Sequence, residues 1–188
     1  MSNDWLPGKP EGSTGGKYFK LKDVATAKDK TAYIRILCPF IGGWEAWDTD
    51  TKPHRFTTKQ EVLDAVASGN LALRVEANKK NPKQFWASFV WNEAAGVVQV
   101  WSFTQVTVFT QLEAIAANKK LGQLDAREVS ITVKGSGTDT EYTVMPCDKE
   151  PISDKGREAW AAVQETAIGL DALYHGGDPF SPWTDGNK

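Results

Sequence analysis

Apolar and polar positions alternate in some stretches of this chain and recur at helical spacing in others. The densest stretch is Phe85–Gly122. It holds two runs, FWASFVW and VVQVWSF, separated by Asn92–Gly96. Aromatic and β-branched runs of this length, joined by a short turn ending in Gly, predict a β-hairpin. The period then changes. From Thr107 to Asn118 the apolar positions are Val108, Leu112, Ile115 and Ala116, near helical spacing, and Gly122 is a natural stop after Lys119 and Lys120. One strand-like run precedes the hairpin, TAYIRILC (Thr31–Cys38), and two follow the helix, REVSITVKG and TEYTVMP. In the first, Ala32, Ile34 and Ile36 face one side, and Tyr33, Arg35 and Leu37 the other.

Five strands with a helix between the third and the fourth is the order of the OB-fold, a small Greek-key barrel that binds single strands and oligosaccharides. The expected architecture is therefore mainly β with helices: a five-stranded OB-fold barrel plus a C-terminal helix. Residues 1–16 are polar and rich in Gly, Pro and Ser, which predicts a flexible arm. The barrel spans 17–150, with Tyr18–Leu21 as a short added strand or a segment packed across it. QEVLDAVAS (Gln60–Ser68), ended by Gly69, has helical composition, and Leu71–Glu76 reads as a short strand or an extended lead-in. A C-terminal helix covers 151–175. Ser153 can cap it, and Trp160, Val163, Ala167 and Leu170 form its stripe. Residues 176–188, rich in Gly and Pro, are expected to be a disordered tail.

Composition narrows the function. The chain has 188 residues and a net charge of −2, which argues against binding duplex DNA by bulk positive charge. That charge does not exclude a basic groove balanced by an acidic tail. No apolar run approaches 18 residues, and the N-terminus lacks a signal-peptide pattern, so a cytoplasmic protein with no membrane partner is expected. Cys38 and Cys147 fit reduced thiols. Eight tryptophans in this length is the unusual feature. Most should fill the core, and any surplus on one surface would be a platform for stacking bases.

Candidate contacts follow from that idea. Tyr33 and Arg35 share the outer face of the first strand and suit base and phosphate contact, or Arg35 makes a surface ion pair. Pro39–Phe56, PFIGGWEAWDTDTKPHRF, reads as a loop from its Pro, Gly and Asp content. It interleaves Trp44, Trp47 and Phe56 with Lys52, His54 and Arg55. Bases can stack on the rings, each worth about 1–3 kcal/mol, while cations take the phosphates; alternatively a Trp plugs an end of the barrel. NKKNPK brings Lys79, Lys80 and Lys83 to the mouth of the third run, as a binding rim or a solvated turn. In FWASFVW, Phe85, Ala87, Phe89 and Trp91 form the richer face and are assigned to the core, which leaves Trp86 as a stacking residue. Phe103 is assigned to the core, and Trp101 is open.

Enzyme chemistry finds little footing. His54 and His175 are the only histidines and lie in no metal-ligand spacing. GSGT lacks the Gly-Lys-Ser/Thr of a phosphate loop and sits between two strands. Glu45, Asp48 and Asp50 cluster, but in a segment read as a solvated loop. No enzyme, no cofactor and no metal site is expected.

Tyr33–Leu37, GGWEAW, KPHRF, KQFWASFVWNEAAGVVQV, the FTQ-led helix and KGSGTDTEYTVMP together resemble phage-encoded single-stranded DNA-binding proteins of the OB-fold type. The most specific piece is the hairpin and helix followed by K-G-x-G-x-x-T-E-Y-x-V-x-P, and the resemblance covers about Thr31–Asp148. It implies non-sequence-specific binding and protection of single-stranded DNA during phage replication or recombination, in the host cytoplasm. It would be carried by Arg35, Trp44, Trp47, Arg55, the Lys79–Lys83 run and Trp86. It also implies recruitment of replication or recombination proteins through the tail, and admits a homo-oligomer on DNA. Asp178-Pro179-Phe180 is similar to an acidic Pro-Phe ending, but eight more residues follow, so a pocket that reads a terminal carboxylate would not be satisfied. Two alternatives stand beside this reading: a structural or protein-interaction barrel with buried tryptophans, such as a virion or assembly component, and an RNA-binding OB protein.

Overall fold

A computed structural model describes residues 16–75 and 81–182. Its elements in chain order are β1 (Tyr18–Phe19), α1 (Leu21–Thr26), β2 (Thr31–Ile36), β3 (Ile41–Trp47), β4 (Pro53–Phe56), α2 (Lys59–Ala67), β5 (Lys83–Asn92), β6 (Val97–Phe103), α3 (Val106–Ala117), β7 (Glu128–Lys134), β8 (Glu141–Pro146) and α4 (Asp154–Thr166). A 3-10 turn at Leu170–His175 follows α4. All five strands and the three helical regions read from the periodicity are present, because each buries a stripe of the expected period.

The strands form one mixed sheet of eight, in the order β1-β6-β5-β2-β7-β8, with β3 also paired to β5 and β4 to β3. The sheet is open, so the expected closed five-stranded barrel is not what forms. The two strands that would have to meet, β6 and β8, have other neighbours. The outer edge of β6 is taken by β1, in parallel register with Tyr18 opposite Val100. The outer edge of β8 is taken by a side chain. The Gln111 amide of α3 donates to the Tyr142 carbonyl at 2.9 Å and accepts from the Val144 N–H at 2.7 Å. It satisfies the backbone groups that a ninth strand would otherwise use.

Pro39–Phe56 is not a loop. Ile41–Trp47 and Pro53–Phe56 form an antiparallel hairpin, with Trp44 opposite Phe56 and Glu45 opposite Arg55. The two glycines that suggested a loop are there for close approach. A Cβ on Gly43 would lie 2.1 Å from the Phe56 carbonyl oxygen. The real turn is Asp48–Lys52, where Thr51 adopts φ 63° and the Asp48 carboxylate accepts from the Lys52 N–H at 2.8 Å. Strands β2 and β3 run along the same edge of β5. Arg35 and Ile36 pair with Trp91 and Val90, then Ile41 pairs with Ala87. Four residues, 37–40, therefore face two on β5. Pro39 sits in this bulge, where the ladder needs no donor, and Ser88 Oγ pins it by donating to the Cys38 carbonyl at 2.8 Å.

Both faces of the sheet are covered. On one, Ile34, Ile36, Val90, Trp101, Phe103, Val129, Ile131 and Val144 pack under α1 and α3. Trp101, undecided from sequence, belongs to this core. On the other face Phe85, Ala87, Phe89 and Val100 pack under Leu170, Leu173, Trp160 and Val163. A third, smaller cluster joins the hairpin to α2 through Ala46, Val62 and Leu71.

The C-terminal region departs from one helix and a disordered tail. Ser153 caps α4 by accepting from the Gly156 N–H at 3.2 Å, as its sequence suggests. The helix stops at Thr166, and Gly169, at φ 91°, turns the chain into the Leu170–His175 segment. Residues 176–182 then return across the sheet. Ile168 N–H donates to the Ser181 carbonyl at 3.0 Å. Phe180 meets Phe89 edge to face at 5.3 Å, and Asp178 pairs with Lys17. The flexible arm expected at 1–16 falls almost wholly outside the described residues, as do 183–188 of the tail.

Candidate nucleic-acid interface

Alternation along β3 sends Trp44 and Ala46 toward α2 and sends Gly43, Glu45 and Trp47 to the opposite face. Trp47 is 40% exposed, and Trp44, Trp86, Trp91, Trp101 and Trp160 are all more buried. Its place is fixed from several directions. The Trp47 N–H donates to Asn81 Oδ1 at 3.0 Å, and its carbonyl accepts from Asn81 Nδ2 at 2.7 Å. The same carbonyl accepts from the Arg74 N–H at 2.9 Å. Its indole N–H donates to Glu45 Oε1 at 3.0 Å.

Glu45 has a second task. Its other oxygen accepts from an Arg55 guanidinium nitrogen at 2.8 Å, and the side chains of this pair are only 10% and 15% exposed. The Arg55 guanidinium lies 5.4 Å from the centre of the Phe85 ring, a cation–π arrangement. One shielded carboxylate thus holds an indole and a guanidinium side by side. Lys83, opposite Glu45 in the β3–β5 ladder, and Lys52, next to the Trp47–Pro53 pair, are both exposed at the same end of the sheet. His54 Nε2 and Asp48 Oδ2 are 2.7 Å apart. That hydrogen bond holds the Asp48 carboxyl below its ordinary range.

A cleft of about 360 Å³ opens beside this unit. Glu45, Trp47 and Arg55 form one wall, Tyr18, Lys20 and Lys22 another, and Ser102–Gln105 with Tyr142 complete it. Burial pushes the Tyr18 phenol up, partly offset by Arg55, so its hydroxyl is a neutral donor. Three cations line the cleft against a single carboxylate, which Arg55 already pairs. A second cleft, of about 530 Å³, lies between α1 and the β5–β6 turn and has the opposite character. Asp23, Glu93 and Glu128 line it against Lys20.

The residues singled out from sequence therefore separate. Trp47, Lys52, Arg55 and Lys83 come together. Tyr33, 54% exposed, lines the acidic cleft instead. Arg35 is not on an open face. It is 5% exposed and donates to the carbonyls of Asp125 at 3.1 Å and Glu150 at 2.7 Å, a structural clamp on two loops. Trp44 and Phe56 pack in the cluster under α2, with Lys59 Nζ 5.3 Å from the Trp44 ring centre. Trp86 is half-buried and stacked on Phe109, with ring centroids 4.3 Å apart and 17° between planes, so α3 covers the ring expected to face a base. The faces of β5 were divided correctly, but the assumption that one of them is open was not. Lys79 and Lys80 lie outside the described residues.

Glu45, Asn81, Tyr18, Lys20, Lys22 and Tyr142 were not anticipated. Glu45 was legible in principle, since residues two apart on a strand share a face, but only once the segment is read as a strand. Nothing local marks Lys20 and Lys22. Among the described residues no group of His, Cys, Asp and Glu could hold a metal ion, and no helix is long and apolar enough to cross a membrane. No protein-family model, no curated protein and no solved structure matches this chain.

Proposed function

We propose that this protein binds single-stranded DNA without sequence preference, by stacking a base on Trp47 and taking phosphates on Arg55, Lys52 and Lys83. The observation that carries this reading is the Trp47–Glu45–Arg55 unit. An exposed indole normally loses side-chain freedom when a base stacks on it. Here Glu45 already holds the ring and Asn81 its backbone, so less entropy is lost on binding. A guanidinium held beside the ring supplies the charge that stacking alone lacks. The net charge of −2 does not oppose this, because Lys20, Lys22 and Arg55 line one cleft with a single carboxylate.

The element order supports kinship with the OB architecture. The β2–β3 strand bends along β5, the β5–β6 hairpin and α3 follow, and β7 with β8 ends the series, in an open sheet whose β6 edge is taken by β1. The K-G-x-G-x-x-T-E-Y-x-V-x-P run, spanning β7 and β8, is the basis for placing the activity in phage replication or recombination. Binding rather than catalysis is the role this geometry suits. Recruitment through Asp178-Pro179-Phe180 loses support, since Phe180 packs on Phe89 and Asp178 on Lys17.

The test is a titration of intrinsic fluorescence with oligo(dT), against matched duplex, in wild type and Trp47→Ala. Quenching by the single strand, absent from the duplex and largely lost in the variant, is the expected result. A wild-type protein that neither quenches nor shifts oligo(dT) in a gel rules the reading out. Oligo(rU) run in parallel separates the RNA-binding alternative. Most of the described tryptophans are packed, as the interaction-barrel alternative requires, so the quenching should be partial even when binding is complete.

A further inference from the structure

We infer that Lys20 and Lys22, at the junction of β1 and α1, form a second phosphate seat, and that the bound strand threads the cleft between them and the β3–β4 hairpin. This rests on the single-strand reading above. Three observations carry it. First, both lysines line the same cleft as Trp47 and Arg55, on the opposite wall. Second, both are exposed, and neither has an ion pair among the described residues, whereas neighbouring Lys17 is held by Asp178. Third, among the described residues Glu45 is the one carboxylate lining this cleft, and Arg55 already pairs it, so nothing there opposes an anion held by the two lysines.

The two clefts discriminate between paths. A polyanion entering the cleft at Tyr33 would meet Asp23, Glu93 and Glu128 against Lys20. One entering at Trp47 meets Lys20 and Lys22 beside the mutually paired Arg55 and Glu45. Tyr18, Phe19 and Lys20 line both openings and separate them. A strand is therefore steered to the Trp47 cleft, with a base on the indole and flanking phosphates on both walls. The wall opposite the hairpin exists only because β1 pairs with β6.

The measurement is the salt dependence of oligo(dT) affinity for wild type, Lys20→Ala/Lys22→Ala and a control, Lys119→Ala/Lys120→Ala, which removes equal charge from the exposed turn after α3. Each lost phosphate contact lowers the slope of log K against log[salt] by about 0.7 on a single strand. The expected result is a slope shallower by about 1.4 and an affinity at least about tenfold lower at low salt for the Lys20/Lys22 variant, with the control near wild type. Circular dichroism should show both variants folded, since all four side chains are exposed. An unchanged slope in the Lys20/Lys22 variant, or an equal change in the control, overturns the second seat while leaving the Trp47 reading intact. Absence of wild-type binding removes both.

Discussion

At the scale of single residues, the site depends on one carboxylate. Glu45→Gln keeps an acceptor but removes the charge that Arg55 pairs with, leaving a shielded guanidinium uncompensated. The expected cost is about 2–4 kcal/mol, together with a shift in the Trp47 emission. Trp47→Ala should act in the opposite sense, weakening oligo(dT) binding while the melting temperature moves little, because a 40%-exposed ring contributes little to the core. Phe89→Ala removes a ring that Trp160 and Phe180 both contact, at 5.4 and 5.3 Å, and should cost about 3–5 kcal/mol by denaturant unfolding. Trp86→Ala belongs with Phe89 rather than with Trp47, since its ring is stacked on Phe109. Asp48 gives a pH signature. Its lowered carboxyl pKa means that the stabilisation of the turn is present above the ordinary carboxylate range and is lost as pH falls through the lowered value. Trp47 emission should respond there in wild type and lose that component in Asp48→Asn.

At the scale of elements, position in the sheet overrides composition. Glycines, a proline and aspartates made residues 39–56 look like a loop, yet this segment supplies β3 and β4. Gly42 and Gly43 permit close contact with Trp86 and with the Phe56 carbonyl, so the residues that weaken a strand prediction are those the hairpin needs. Gly43→Ala should destabilise the protein clearly and disturb Arg55, whose strand would have to move away, and thermal melting together with oligo(dT) titration will detect both. The edge of β8 makes the same point in reverse. Nothing in TEYTVMP says that its outer hydrogen bonds go to a glutamine on α3. Gln111→Ala leaves a donor and an acceptor on β8 uncovered and should cost about 1–3 kcal/mol.

At the scale of the whole molecule, the C-terminal segment is part of the fold. Residues 154–182 cover Phe85, Ala87, Phe89 and Val100, and their last described residues bridge back to Ala167. A chain ending at Lys149 would expose that face and also remove the Glu150 carbonyl that Arg35 uses. It should be recovered aggregated, whereas the full chain should fold.

The sequence alone marked five of the strands and three helical regions, but not β3, β4 or α1. A run with period two that buries both its faces, as FWASFVW does, has few alternatives to a strand, and Val108, Leu112 and Ile115 commit one side of α3 to a core. It also marked Trp47, Lys52, Arg55 and Lys83 by residue type. Only the tertiary structure decided which aromatic rings stay open. That depends on what lies above each face, and the covering pieces come from α3 for Trp86 and from the segment after Gly169 for Phe89, remote in sequence in both cases. It likewise decided the burial of Arg35, whose partners are carbonyls 90 and 115 residues away. The opposing walls of the Trp47 cleft are the clearest case. Charge and stacking act through space, and β1 reaches the hairpin only through the edge of β6.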